Sequence, residues 1–142
     1  MLSVALAGTF AEIAEEAEPR RWEFQRRWRA TFAPQADDWS GPFRDHCWHV
    51  LSYGVVPSVR GAKAIDEFDR RSMKVVLASE EPSVCSTYRV SSGSSITHVQ
   101  ISAVWAGDLY VMPESWAWCL VMTHESGLGP FFVESSAEDE NR

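Results

Sequence analysis

The segment of residues 116–132, WAWCLVMTHESGLGPFF, constrains the fold more than any other part of the chain. Residues 116–124 are apolar at both odd and even positions, which is typical of a strand covered on both faces. The glycines and proline that follow, and then residues 131–134, predict a turn and a returning strand. Alternate residues of a strand share one face. One face is therefore predicted to carry Trp116, Trp118, Leu120, Met122 and His124.

The rest of the chain predicts helices and strands that surround this central strand. Helical periodicity and capping patterns predict helices at residues 9–18, 20–33 and 60–71. Alternation and β-branched or aromatic enrichment predict strands at residues 47–56, 73–79, 85–90, 98–106 and 109–112. The first two of these strands and the helix between them form a β-helix-β unit. We predict an α+β fold, with N-terminal helices and this unit packed on a largely antiparallel sheet of about five to seven strands.

The length and the two ends of the chain suggest its domain organisation. A chain of 142 residues favours one domain, which we assign to residues 1–134. Residues 1–8 have no predicted element and are expected to be flexible, and residues 135–142, SSAEDENR, are expected to form a disordered acidic tail. No apolar run is long enough for a membrane helix, and the N-terminus lacks the basic residues of a signal peptide.

The three cysteines, Cys47, Cys85 and Cys119, are odd in number and irregularly spaced. This pattern favours reduced, buried thiols over disulfides, and therefore a cytoplasmic protein.

The net charge of −7 is concentrated in the last third of the chain. Residues 91–142 contain seven acidic side chains and one arginine, a balance of −6. Such a field repels nucleic acid and anionic lipid and favours a basic protein partner, although it can also serve solubility alone. The arginines of residues 20–33 are expected to lie on a solvated face, with their stems covering aromatic rings. We expect no nucleic-acid or membrane partner, and a monomer or weak dimer.

Histidines and carboxylates give the sequence its candidate chemistry. His46 and His49 have a spacing found in metal sites, but in a strand they point to opposite faces, so no metal and no cofactor is predicted. His124 and Glu125 are likewise on opposite faces unless the strand ends before them. If the protein is an enzyme, we expect a small hydrolase or nucleotide-acting enzyme that uses His49 or His124 with Glu125.

A non-catalytic binding protein is the function that the sequence favours. Trp116 and Trp118 are either core residues or a partner-facing patch beside acidic residues. The partner-binding residues predicted on this view are Trp116, Trp118, Asp108, Glu114, Glu125 and Glu134. They suggest an immunity- or antitoxin-like inhibitor that presents an acidic face to a basic partner, such as a toxin.

Two fragments resemble a known family. They are WHVLS at residues 48–52, and DLYV at residues 108–111 followed by Trp118, THE at 123–125 and GPFF at 129–132. Together they are similar to the DUF4275 family of small bacterial proteins, over roughly residues 20–134. The resemblance implies a small cytoplasmic α+β protein, assigns no activity, and directs attention to His49, His124 and Glu125.

Overall fold

Seven strands form one sheet in the order β1-β4-β3-β5-β6-β7-β2, and every neighbouring pair is antiparallel. The computed structural model describes residues 2–10, 12–15, 21–37, 39–71, 73–79, 87–105, 107–125 and 127–135. In chain order the elements are α1 Leu2–Thr9, β1 Glu12–Glu15, α2 Arg21–Phe32, α3 Pro42–Asp45, α4 His49–Ser52, β2 Val59–Arg60, α5 Ala62–Arg70, β3 Val75–Ser79, β4 Thr87–Ser91, α6 His98–Val104, β5 Leu109–Met112, β6 Trp118–Met122 and β7 Phe131–Glu134. The α+β class and the largely antiparallel sheet are confirmed.

Helices cover both faces of the sheet, so two hydrophobic clusters flank it. Side chains of α1, α5 and α6, among them Leu6, Phe68 and Ile101, pack on one face with Trp118 and Leu120 of β6. On the other face, α2 and the α3–α4 segment pack on alternate residues of the same strands; these packing residues include Phe24, Trp28, Trp48, Leu51, Cys119 and Val121. Because both faces are covered, β6 is buried along its whole length, as its apolar pattern predicts.

Several predicted elements are confirmed with small shifts of their ends. They are the helices at 20–33 and 60–71, which appear as α2 and α5, and the strands β3, β4, β5, β6 and β7. β6 lies beside β5, which is the middle strand of the seven. Arg27 and Arg29 place their guanidinium groups over Trp116 and Trp39, so the arginines of α2 do cover aromatic rings.

The strand predicted at residues 47–56 is wrong, because this segment forms turns and the short helix α4. Its apolar side chains Val50 and Leu51 are fully buried, and a short apolar run does not distinguish a buried strand from a buried helical turn. Arg60 stabilises the end of α4 by donating to the carbonyls of Leu51 and Ser52, at 2.8 and 3.0 Å. The strand that precedes α5 is instead β2, and three strands, β5, β6 and β7, separate it from β3. The predicted β-helix-β unit is corrected accordingly.

Two further elements have the opposite type to their prediction. Residues 12–15, predicted helical, form β1, because their backbone pairs antiparallel with β4. Residues 98–104, predicted as a strand, form α6, which begins with a capping box: the Thr97 side chain accepts from the backbone at Gln100, and the Thr97 N–H donates to Gln100 Oε1 at 3.0 Å. Thr and Gln at this spacing mark a helix start, and the alternation at 98–106 concealed it.

Replacing Thr97 with Ala is expected to lower the free energy of unfolding by about 1 kcal/mol, because the substitution removes one of the two capping hydrogen bonds. Urea denaturation followed by circular dichroism measures the loss. Ser102→Ala, at an exposed position of the same helix, is the control and should change stability by less than about 0.5 kcal/mol. Equal effects of the two substitutions would contradict the capping role.

The two ends of the chain are only partly described. Residues 2–8, which belong to the segment expected to be flexible, lie in α1, and Leu6 is fully buried. Ser135, predicted as the first residue of the tail, is buried and donates to the carbonyl of Ala117 at 2.8 Å. Residues 136–142 and Cys85 lie outside the described residues. Cys47 and Cys119 are buried, as predicted, and burial raises the pKa of the Cys119 thiol to about 12. Within the described ranges, no helix has the length and hydrophobicity that crossing a bilayer requires.

Candidate functional site

The pairing of β5 with β6 brings Asp108 and His124 together at one end of the sheet. Leu109 is opposite Met122, so Asp108, which precedes β5, lies beside the residues that follow β6. Asp108 Oδ1 accepts the backbone N–H of His124 at 2.6 Å and lies 2.8 Å from His124 Nδ1. The Asp108 side chain is fully buried, whereas that of His124 is 40% exposed. The buried carboxylate of Asp108 therefore lies directly beneath a side chain, that of His124, which reaches the surface.

His46 approaches the same carboxylate from the segment between α3 and α4. Its Nδ1 lies 3.2 Å from Asp108 Oδ2, and its ring centroid is 5.2 Å from that of His124. The two atoms are not oriented for a hydrogen bond, and within the described residues both are buried without a hydrogen-bond partner. Unsatisfied buried polar atoms are uncommon in native proteins and often mark the position of an ion or water.

His49 and Glu125 complete the group of ionisable side chains. Because His46 and His49 lie on a turn and the helix α4 rather than on a strand, their rings are adjacent, with centroids 5.7 Å apart. Glu125 Oε1 lies 3.7 Å from His124 Nε2. β6 ends at Met122, so the strand geometry that would have separated His124 from Glu125 no longer applies. His49, His124 and Glu125 therefore lie in one group, with Glu125 and His124 among the charges that act on His49.

The electrostatic environment keeps His49 neutral. Its pKa is lowered from the ordinary value, first by burial and then by the neighbouring His46, while Glu125 and Asp108 act in the opposite direction. A neutral imidazole accepts a proton or donates a lone pair, and it adds no positive charge to the group.

Three of these residues can hold a metal ion. One donor atom from each of His46, Asp108 and His124 can be chosen so that all lie within 4.8 Å of one another. Ligands of one Zn²⁺, each at about 2.1 Å from it, are separated by about 3.0–4.2 Å, depending on the coordination geometry. The prediction of no metal site assumed that residues 47–56 form a strand, and that assumption is wrong.

The loop after β6 is fixed by its own polar contacts. The Thr123 hydroxyl, which is buried, donates to the carbonyls of Glu125 and Leu128. The N–H of Gly61 donates to the carbonyl of Pro130 at 2.9 Å, next to Arg60, which stabilises the end of α4. The two segments that carry the histidines are thereby joined through β2, which limits their relative movement.

The two tryptophans predicted for partner binding belong to the core. Trp116 and Trp118 are 5% and 4% exposed and lie in different hydrophobic clusters, on opposite faces of the sheet. Their predicted shared face is wrong because Trp116 has a φ of 58°, which interrupts the strand geometry before β6 begins.

The acidic residues predicted for partner binding make contacts inside the chain. Asp108 is buried against His46 and His124. Glu114 forms an ion pair with Arg89, and Glu134 forms one with Arg71 at 2.6 Å. Binding of a basic partner stays a prediction, but Glu114 and Glu134 already pair with arginines of this chain.

Sequence patterns do not identify Asp108 as a candidate metal ligand. They identify His46 only as the partner of His49 in a spacing for which no metal is predicted. The sequence predicts Asp108 as a partner-binding acid, and no local pattern indicates that it is buried. The useful signal was the spacing of His46 and His49, which places them on one side of a helical turn.

Comparison with known proteins gave no match: no family model, no curated protein and no solved structure is similar to this chain. The resemblance to the DUF4275 family stays a prediction.

Proposed function

We propose that this protein is a hydrolase that binds one divalent metal ion through His46, Asp108 and His124. The observation that carries the proposal is the pair of buried atoms His46 Nδ1 and Asp108 Oδ2, 3.2 Å apart and without hydrogen bonds among the described residues. A cation between them satisfies both atoms at once. It also compensates the buried negative charge of Asp108, which is costly without a partner.

The ligand set favours a catalytic ion over a structural one. Two imidazoles and a carboxylate suit Zn²⁺ and similar divalent ions, and three protein ligands leave a coordination position open. His124 is 40% exposed, so an ion held by it would lie near the surface, within reach of a substrate. An ion held in this way supplies Lewis acidity and lowers the pKa of water to about 7.

The remaining side chains take the other roles of hydrolysis. Glu125, 3.7 Å from His124, is the general base that removes a proton from the attacking water. His49 stays neutral because its pKa is lowered, so it does not repel the ion. Asp108 accepts the backbone N–H of His124 and so fixes that residue against the carboxylate.

Titration of the metal-free protein with Zn²⁺ and Mn²⁺ in a calorimeter tests the proposal. We expect one ion per chain, with a free energy of unfolding raised by about 2.7 kcal/mol when the free ion is at one hundred times its Kd. Hydrolysis of ester and amide substrates should disappear with a chelator and return when the ion is added back.

The chain provides a matched control for His124. His98 contacts Asp69 in a similar way, with its backbone N–H on Oδ1 at 2.8 Å and its Nδ1 2.5 Å from Oδ2, but both side chains are about one-third exposed.

His124→Asn should remove ion binding and hydrolysis, and His98→Asn should leave both unchanged. Equal losses, or no binding by the unaltered protein, would refute the metal site. Binding without any hydrolysis would leave a metal-binding protein and remove the catalytic role.

The inhibitor function suggested by the sequence remains a second hypothesis without added support. Its acidic residues have intramolecular partners, and its tryptophans are buried.

A further inference from the structure

A small cavity lies next to the histidine cluster, between Trp105 and the loop that follows β6. Its volume is about 70 Å³, and its walls include Trp105, Met122, Glu125, Leu128 and Pro130. Most of these side chains are apolar. Glu125 is the acidic residue of the lining, and Thr123, which also lines the cavity, directs its hydroxyl to carbonyls of its own loop. The cavity is therefore a mostly apolar space with one acidic residue in its lining.

Glu125 connects this cavity to the candidate metal site. Glu125 lines the cavity, and its Oε1 lies 3.7 Å from His124 Nε2. When one group of a substrate occupies the cavity, the substrate atoms bonded to that group therefore lie beside the histidines. This is the arrangement of a specificity pocket next to a reacting centre.

Trp105 is held in place although it is 41% exposed. Its indole N–H donates to the carbonyl of Gly107 at 2.8 Å, and Gly107 directly precedes Asp108. The wall of the cavity and the buried carboxylate of the site are therefore joined by one hydrogen bond and one peptide bond. Such a link keeps the distance between pocket and site constant, which substrate selection by size requires.

The size and charge of the cavity define what it accepts. Its volume is about half that of a dry protein cavity of roughly 150 Å³ that binds benzene. The space suits an aliphatic group of about three or four carbons. Among the described residues, the cavity lining includes no lysine or arginine, so the cavity has no cationic side chain that would pair with an anionic acyl group.

We infer that the cavity is a substrate subsite for a short, uncharged aliphatic acyl group, and that the substrates are esters or amides of such acyl groups. This inference rests on the proposed hydrolase function. In the reaction, the water oxygen forms a bond to the acyl carbon, and the bond from that carbon to the leaving oxygen or nitrogen breaks. Glu125 passes the proton that it took from the water to the leaving group.

The kinetic test uses Zn²⁺-loaded protein with 4-nitrophenyl isobutyrate and 4-nitrophenyl benzoate. We expect kcat/KM to be at least about tenfold higher for the isobutyrate, because the benzoyl ring exceeds the cavity. Trp105→Ala opens one wall and should remove this preference without changing the Zn²⁺ stoichiometry. Tyr53→Ala is the matched control, since Tyr53 is 63% exposed and contacts His49 but does not line the cavity. It should keep the preference.

A binding measurement in metal-free protein separates this inference from the proposed function. Isobutyramide should shift the indole N–H resonance of Trp105 in a ¹H–¹⁵N spectrum, whereas benzamide should not. The resonance is assigned as the indole signal that is missing from the spectrum of Trp105→Ala. Failure of isobutyramide to shift it overturns the subsite, even if the protein is a metal-dependent hydrolase. Hydrolysis without an acyl-size preference has the same consequence. Absence of ion binding and of hydrolysis refutes the proposed function, while a selective isobutyramide shift would still support the cavity as a binding site.

Discussion

Asp108→Asn is expected to weaken divalent-ion binding at least about 100-fold, because it removes the anionic ligand from the centre of the histidine cluster. Changes to groups that only support a metal ligand already cost about 10- to 100-fold in affinity. In the variant, the amide also contains a nitrogen that cannot bind a cation. Calorimetric titration of the metal-free variant with Zn²⁺ measures the loss.

Asp69→Asn is the matched control for this substitution. Asp69 contacts His98 through the same backbone and ring nitrogens, but its side chain is 33% exposed. We expect it to leave the affinity unchanged. Because Asp108 is buried, the unfolding of both variants is also measured with a chelator present, which separates a folding defect from a loss of binding. A folded Asp108→Asn protein that binds Zn²⁺ as tightly as the unaltered chain would contradict the ligand assignment.

Trp28→Ala is expected to lower the free energy of unfolding by about 3–5 kcal/mol, the largest effect that we predict in the core. Trp28 is fully buried, and its ring lies 5.4 Å from that of Phe32 and 5.8 Å from that of Tyr110 in β5. The substitution leaves a cavity between α2 and the sheet, and the packed interior only partly closes such a space. Guanidinium denaturation followed by circular dichroism measures the loss.

Arg26→Ala, at an exposed position of the same helix, is the control for Trp28 and should change stability by no more than about 0.5 kcal/mol. The stability loss in Trp28→Phe should lie between those of Trp28→Ala and Arg26→Ala, because phenylalanine keeps part of the buried aromatic volume. A loss below about 1 kcal/mol in Trp28→Ala would show that α2 contributes little to the core on this face of the sheet.

The errors in the sequence prediction have a common physical cause. Residues 12–15 have helical periodicity, yet they pair with β4, which is more than 70 residues away along the chain. Residues 47–56 are rich in strand-forming side chains, yet Trp48, Val50 and Leu51 are buried from a turn and a short helix. Local propensity is a weak preference, and long-range pairing and burial outweigh it.

The α6 error is different, because the sequence contained the information needed to avoid it. Thr97 and Gln100 form a capping box, which marks a helix start, whereas the alternating residues that follow favour a strand. Burial also shows which pattern was correct: Ile101 and Val104, three residues apart on a helix, are the buried ones, while Val99 is 64% exposed.

The segment at 116–132 shows where the sequence was sufficient and where it was not. Its apolar run alone determined a strand buried on both faces, β6, and its glycines and proline determined the turn before β7, because these properties depend on neighbouring residues. The tertiary structure decided the rest. Strand pairing placed Asp108 against His124, and the α3–α4 segment carried His46 to the same carboxylate from more than 60 residues away. Contacts of this kind depend on how distant segments pack, so no local pattern in the sequence could have revealed the buried carboxylate on which the proposed function depends.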